Sequence, residues 1–298
     1  MENLLSIFSV VFLSQVFRMF TPYFFGAIGG AYSERGGVIN IAIEGFLISS
    51  AFSFAVVNIF TGSIILSFII AMLVNAVLSI LFAIFTVKLK TDHIVTGVGF
   101  NLLIAGLADF LIAYFFKTSS NTPRFEEIPT IEVLSFLPFL SDPLIIVAFA
   151  TVPLSAFVFF KTRFGLRLRS VGENPQAAES LGVKVRFYKI AGVVLCGIIT
   201  SFGGIWLASY QNTYSQGMTA GKGYIALAAM IIGKWKPVNI FFVCLMFAFF
   251  EALEIKLQII GSFIPSQFIQ SLPYIVTILV LIGFIGKTRP PAADGVPY

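Results

Sequence analysis

Long apolar runs, separated by short polar clusters, fill most of the sequence, and a chain of that pattern has few places to go. A helix needs about 20 mostly apolar residues to cross the hydrocarbon layer. Runs of that kind cover residues 4–31, interrupted by Arg18 and Pro22, then 38–60, 64–87, 94–116, 143–160, 190–210, 237–258 and 268–286. With 58% hydrophobic and 11% charged residues and a mean hydropathy of +0.96, the 298 residues are too apolar for a water-soluble domain. The expected fold class is all-α, a polytopic transmembrane helical bundle forming a single domain over 1–298.

One apolar piece, 223–233, spans only about half a membrane at 1.5 Å per residue. It reads as a short or broken helix, tolerated at depth only beside protein or a water-filled cavity. The polar stretch before it, 211–217, reads as an external loop. Counted together, the runs give about nine crossings, within a range of about eight to ten. Gly26-x-x-x-Gly30 and Gly217-x-x-x-Gly221 fit close helix contact.

Charge orients the bundle. Seven of the 19 Lys and Arg residues fall in the loop 161–189, and the net charge of +5 collects in loops of this kind. Basic short loops stay in the cytoplasm, so 161–189 is expected there, with the N-terminal side and the more acidic 117–142 outside. The basicity therefore reports orientation and does not call for nucleic acid. Cys196 and Cys244 each lie in an apolar run and read as small core residues. The first residues carry no basic cluster, so no cleaved leader is expected.

Inside the basic loop, Asn174 suits an N-cap, Pro175 the first helical position, Ala177 and Ala178 a helix, and Gly182 its C-terminal close. A helix of about two turns is expected, too short to stand alone and so held by packing. The small faces of Ala177, Ala178 and Gly182 suit a close fit into a groove. An ordinary capped turn in a basic loop accounts equally well for the spacing.

No catalytic constellation is found. His93 is the one histidine, without Cys or a second His at metal spacing, so no metal site is expected. Gly286-Lys287-Thr288 resembles half a phosphate loop, yet Leu281 stands where the first glycine is required. What remains is polar groups at depth. Asn40 and Glu44, four apart, would share a helix face flanked by Gly36, Gly37 and Gly45; Asn101 and Asp109 lie within the fourth run. Glu44 facing lipid would cost roughly 2.5–3.5 kcal/mol, so it should face protein or water. Asn40, Glu44 and Asn101 are candidates for the lining of a translocation path, with a buried structural role as the competing account. Glu251, Glu254 and Lys256 read as a local charged patch at the interface.

Gly172-Glu173-Asn174-Pro175, the Ala177-Ala178 pair and Leu181-Gly182-Val183 resemble the coupling-loop signature of permease subunits in the ribose and branched-chain amino-acid branch of ABC importers. Ser33 to Gly45, Thr91 to Gly97, Phe164 to Glu173, Ala226 to Trp235 and Pro290 to Tyr298 are similar, in order, to the shorter permease subunit of nucleoside ABC importers; residues 119–141 depart most from that pattern. The resemblance implies a type II importer-like permease in the bacterial cytoplasmic membrane, working by alternating access for nucleosides, purine nucleosides such as guanosine among them. It implies that Gly172, Glu173, Asn174, Ala177, Ala178, Leu181 and Gly182 couple to a cytoplasmic ATPase that carries the ATP and Mg, this chain holding no cofactor and catalysing no reaction. The other implied partners are a second permease subunit and an extracytoplasmic substrate-binding lipoprotein. Two alternatives follow from the same residues: a permease for a simple sugar such as ribose, and an ion-coupled secondary transporter using Glu44 and Asp109. A purely structural membrane scaffold fits less well, because caps order the basic loop.

Overall fold

The structure, a computed structural model, describes residues 10–118, 120–126, 128–129, 140–260 and 289–298, with the isolated positions 268, 271, 275 and 278. Among the described residues ten helices follow one another: α1 (Val10–Glu34), α2 (Ile43–Thr61), α3 (Ile64–Ala83, continued by a π-helical turn Ile84–Lys88), α4 (His93–Phe116), α5 (Pro143–Lys161), α6 (Arg163–Glu173), α7 (Pro175–Ser180), α8 (Val185–Gln211), α9 (Lys222–Ile232) and α10 (Pro237–Ile260). Among the described residues seven helices are long and apolar enough to cross a membrane, and α9 is a shorter apolar helix. The expected span at 268–286 lies outside the described residues, as does most of the 117–142 loop beyond position 129 and the Gly286-Lys287-Thr288 tripeptide. The chain is a multi-pass membrane protein.

Two populations of helix are evident. In α1, α2 and α8 most of the apolar window is buried (72%, 72% and 61%), whereas α3 buries 22% and α4, α5 and α10 bury 28% each. The first three form the centre, and the others turn apolar side chains such as Ile65, Leu73, Leu102 and Phe242 outward. Small residues permit the central approach: a Cβ at Gly29 of α1 would sit 2.9 Å from the Cys196 carbonyl of α8, and one at Gly197 of α8 would sit 2.8 Å from the Asn75 carbonyl of α3. Between apolar helices without a hydrophobic drive, such backbone proximity supplies the packing energy. Gly26 and Gly30 also make helix contacts, against Ala226 and against Ile43 and Met230. Gly217 and Gly221 do not: both take positive φ in the loop before α9.

Five of these helices, α3 to α7, start from a cap in their own sequence. Ser63 accepts from Leu66 N–H, Asp92 from Ile94 and Val95, Asp142 from Leu144, Thr162 from Gly165 and Asn174 from Ala177. Helices α2, α8 and α9 lack a local side-chain cap, after Ala42, Lys184 and Gly221. Of these, α2 begins directly after the non-helical stretch 35–42, and α9 begins against the first turn of α2.

Candidate functional site

Between α1 and α2 the chain leaves helical geometry over residues 35–42. Non-helical backbone in a membrane bundle must find its hydrogen bonds in the protein. Here it does. Val38 N–H donates to the Ser33 carbonyl, and the Ser33 hydroxyl donates back to the Val38 carbonyl at 2.7 Å. Gly37 O accepts from the buried Lys189 Nζ at 3.2 Å, Ile41 O from Asn101 Nδ2 at 2.9 Å, and Asn40 Oδ1 takes the Ala42 N–H at 3.1 Å.

The junction then caps its own helices from a distance. Asn101 Oδ1, on α4, accepts the Gly45 N–H at 2.8 Å and so serves the first turn of α2. The Glu44 carboxylate, on α2, accepts the N–H groups of Gly221 at 2.9 Å and Gly223 at 2.6 Å, and so serves the first turn of α9. An anionic group at a helix N-terminus is favoured twice, by satisfied donors and by the helix dipole. At the other end of α9 the Arg35 guanidinium donates to the Lys234 carbonyl at 3.5 Å and to the Trp235 carbonyl at 3.3 Å. Glu34 Oε2 takes the Trp235 indole N–H at 2.7 Å. The short helix is held at its anion-seeking end by Glu44 and at its cation-seeking end by Arg35. Glycine at 223 is required by proximity, since a Cβ there would lie 2.5 Å from the Glu44 nitrogen.

Asn40, Glu44 and Asn101 are thus gathered around one broken stretch of backbone, all buried. Asn40 precedes α2 and does not share a helical face with Glu44, which corrects the four-residue spacing argument. Asn40 Nδ2 points to Cys196 Sγ at 3.3 Å. Asn101 Nδ2 also donates to the hydroxyl of Tyr224, whose ring is half exposed on α9. Asp109 is elsewhere, taking Gln216 Nε2 at 2.7 Å.

The residues expected to couple to an ATPase occupy the opposite kind of setting. α7 closes on Gly182, at φ +78°, with Gly182 N–H donating to the Glu179 carbonyl and Val183 N–H to the Ala178 carbonyl. This is the paired C-terminal closure that a left-handed residue permits. Glu173, Asn174, Ala177, Leu181 and Gly182 are exposed; Gly172 and Ala178 are not. Ala178 belongs to this chain's own core, and Gly172 packs against the Arg35 carbonyl, where a Cβ would clash. Those two residues seat the loop while the other five face outward.

The family described as "Branched-chain amino acid transport system / permease component" matches residues 12–285. The chain belongs to this permease family. The permease is 41% identical over 297 residues to the nucleoside ABC transporter permease protein NupC of Lactococcus lactis subsp. cremoris, covering 93% of each chain. It is 34% identical over 299 residues to the guanosine ABC transporter permease protein NupQ of Bacillus subtilis, covering 93% of this chain and 92% of that one. To the nucleoside ABC transporter permease protein NupB, from the same Lactococcus lactis strain as NupC, it is 22% identical over 303 residues, covering 95% of this chain and 83% of that one. No solved structure matches the permease.

Several working residues escaped sequence reasoning. Glu34, Arg35 and Trp235 fall within the stretches that carry the family resemblance, but nothing in the sequence marked them as partners. Lys189 reads as one more loop cation but is buried in the first turns of α8. Glu251 reaches beyond a local patch: it forms an ion pair with Lys222 at 2.7 Å and accepts the Tyr23 hydroxyl at 2.6 Å, joining α10 to α9 and α1. An unmatched acid and an unmatched base at similar expected depth were the available clue.

Proposed function

We propose that the permease is a membrane subunit of an ATP-driven nucleoside importer in the bacterial cytoplasmic membrane, with purine nucleosides such as guanosine among its substrates. The observation that carries this reading is its similarity, along nearly the whole chain, to NupC and NupQ, both named for nucleoside or guanosine transport. Similarity at two levels to permeases of one organism, 41% to NupC and 22% to NupB, supports pairing with a second, different permease subunit. A separate cytoplasmic ATPase binds ATP and Mg, and an extracytoplasmic lipoprotein delivers substrate.

The geometry supports alternating access driven from α7. A six-residue helix capped at both ends moves as a unit. Its neighbour Gly172 lies against Arg35, and Arg35 holds the Lys234 and Trp235 carbonyls in the turn that follows α9. Displacement of the docked α7 therefore meets the broken stretch and the short helix next. Residues 35–42 with α9 border the translocation path, and Asn40, Glu44 and Asn101 fix its shape through the backbone they hold. Two arrangements of packed elements, exchanged by ATP binding and hydrolysis, suffice for transport.

The test is uptake by proteoliposomes containing both permease subunits, the ATPase and the lipoprotein. ATP-dependent uptake of labelled guanosine or uridine in preference to ribose is expected. Preferential ribose uptake would instead make this a sugar permease, and uptake driven by a proton gradient without ATP would make it a secondary carrier.

A further inference from the structure

Segment 290–298 lies against the coupling region, although its contacts with Glu173 and Glu179 cross 119 positions of sequence. Ala293 N–H donates to the Gly172 carbonyl at 2.9 Å, Ala292 N–H to Glu173 Oε2 at 3.4 Å, and the Tyr298 hydroxyl to Glu179 Oε2. Its inner side rests on the broken stretch: Lys189 Nζ bridges Gly37 O and Val296 O, and the Gly295 backbone lies against Ile39. Its outer side continues the exposed side of α7. Three large apolar side chains stand out there within the most basic part of the chain, Leu181 at 84%, Phe187 at 59% and Val296 at 53% exposure. Beside them an open hollow of about 650 Å³ is lined by Lys90, Lys184, Arg186, Phe187 and Tyr298, with Glu179 as its one acid.

Apolar side chains are not left in water inside a cationic rim without a partner to cover them. The hollow is continuous with α7 and carries three cations against one carboxylate. Its counterpart is therefore apolar at the centre and acidic at the edge. We propose that segment 290–298, the outward side of α7 and the first turn of α8 form one docking surface for the ATPase subunit. This rests on the importer reading above and extends the docking surface beyond the coupling loop. Because the segment's inner side touches Gly37 and Ile39, a subunit seated on it presses on the broken stretch by a second route besides Gly172.

The test uses the assembled complex, purified through a tag on this chain, with the ATPase quantified after washing. Leu181→Asp probes the coupling loop, and Val296→Asp probes the added segment. A charge reversal, Lys184→Glu with Arg186→Glu, probes the rim. All of these side chains are exposed, and an unchanged melting temperature of the tagged permease verifies the fold. Each of the three changes is expected to lower retained ATPase about tenfold or more, the effect of placing charge in an apolar contact or inverting its rim. Loss with Leu181→Asp but full retention with Val296→Asp and with the charge reversal would overturn the composite surface and leave the importer reading intact. Full retention with all three would overturn both.

Discussion

The two short helices of the permease are built on opposite plans. Helix α7 carries its start and its stop within nine residues, Asn174 to Gly182, and most of its side chains face outward. Helix α9 takes its start from Glu44, 177 and 179 positions away, and Arg35, about 200 positions away, grips the Lys234 and Trp235 carbonyls just past its end. A self-contained helix can move as a piece and meet a partner. A helix gripped beyond both ends by other elements cannot shift without moving them, which supports the proposal that force enters at α7 and is felt at α9.

The contrast breaks most directly at Glu44. Glu44→Ala leaves two buried N–H groups without acceptors, at about 1–3 kcal/mol each, and is expected to lower stability by roughly 2–5 kcal/mol. Thermal melting of the detergent-solubilised permease measures it, and a shift no larger than that of a surface substitution would show that Glu44 does not hold α9. Asn101→Leu comes next, because it orphans the Gly45 N–H and the Ile41 carbonyl while keeping volume. A loss of about 1–3 kcal/mol is expected in the same assay, with a change in the fluorescence of Tyr224 as a second readout.

Asn174→Ala sharpens the other side. Loss of an exposed N-cap costs about 1 kcal/mol locally, so global melting should hardly move. Amide exchange at 176–180 should accelerate severalfold, and a melting shift as large as that of Glu44→Ala would erase the contrast between the two helices.

The smallest effect concerns the contact that joins the two regions. Burial pushes the Asp294 carboxyl up from 3.8 to about 7, against the pull of the Lys189 ammonium and the Gly295 N–H, and the Glu34 carboxyl lies near it. A raised carboxyl pKa favours the docked segment when protonated, so docking is strongest below the ordinary carboxylate range. It weakens as pH rises toward about 7 and is constant above. Exchange protection at 292–296, corrected for intrinsic rates, should be higher at about pH 5.5 than at about pH 8, and Asp294→Asn should remove that difference.

These cases also show what could be read before folding. The start and stop of α7 were legible because Asn174, Pro175 and Gly182 act on backbone within four residues of themselves. The apolar runs located the spans for the same reason, though α2 starts at Ile43 and not at Val38. Glu44 and Asn101 were legible as polar groups that membrane depth forbids to lipid, but their partners were not. A capping bond over 177 positions leaves no periodicity in either stretch. Ala178 and Lys189 mislead in complementary ways: a small residue in a docking helix turned inward, and a loop cation buried under Gly37 and Val296.

The central claim, that α7 faces the cytoplasm as a free docking helix, is tested most directly by Leu181→Cys. Cys196 and Cys244 are fully buried and can stay in place. In inverted membrane vesicles an impermeant maleimide should label Leu181→Cys rapidly without the ATPase and about tenfold or more slowly once it is added. Labelling that is unchanged by the ATPase, or that occurs instead on intact cells, would contradict the account.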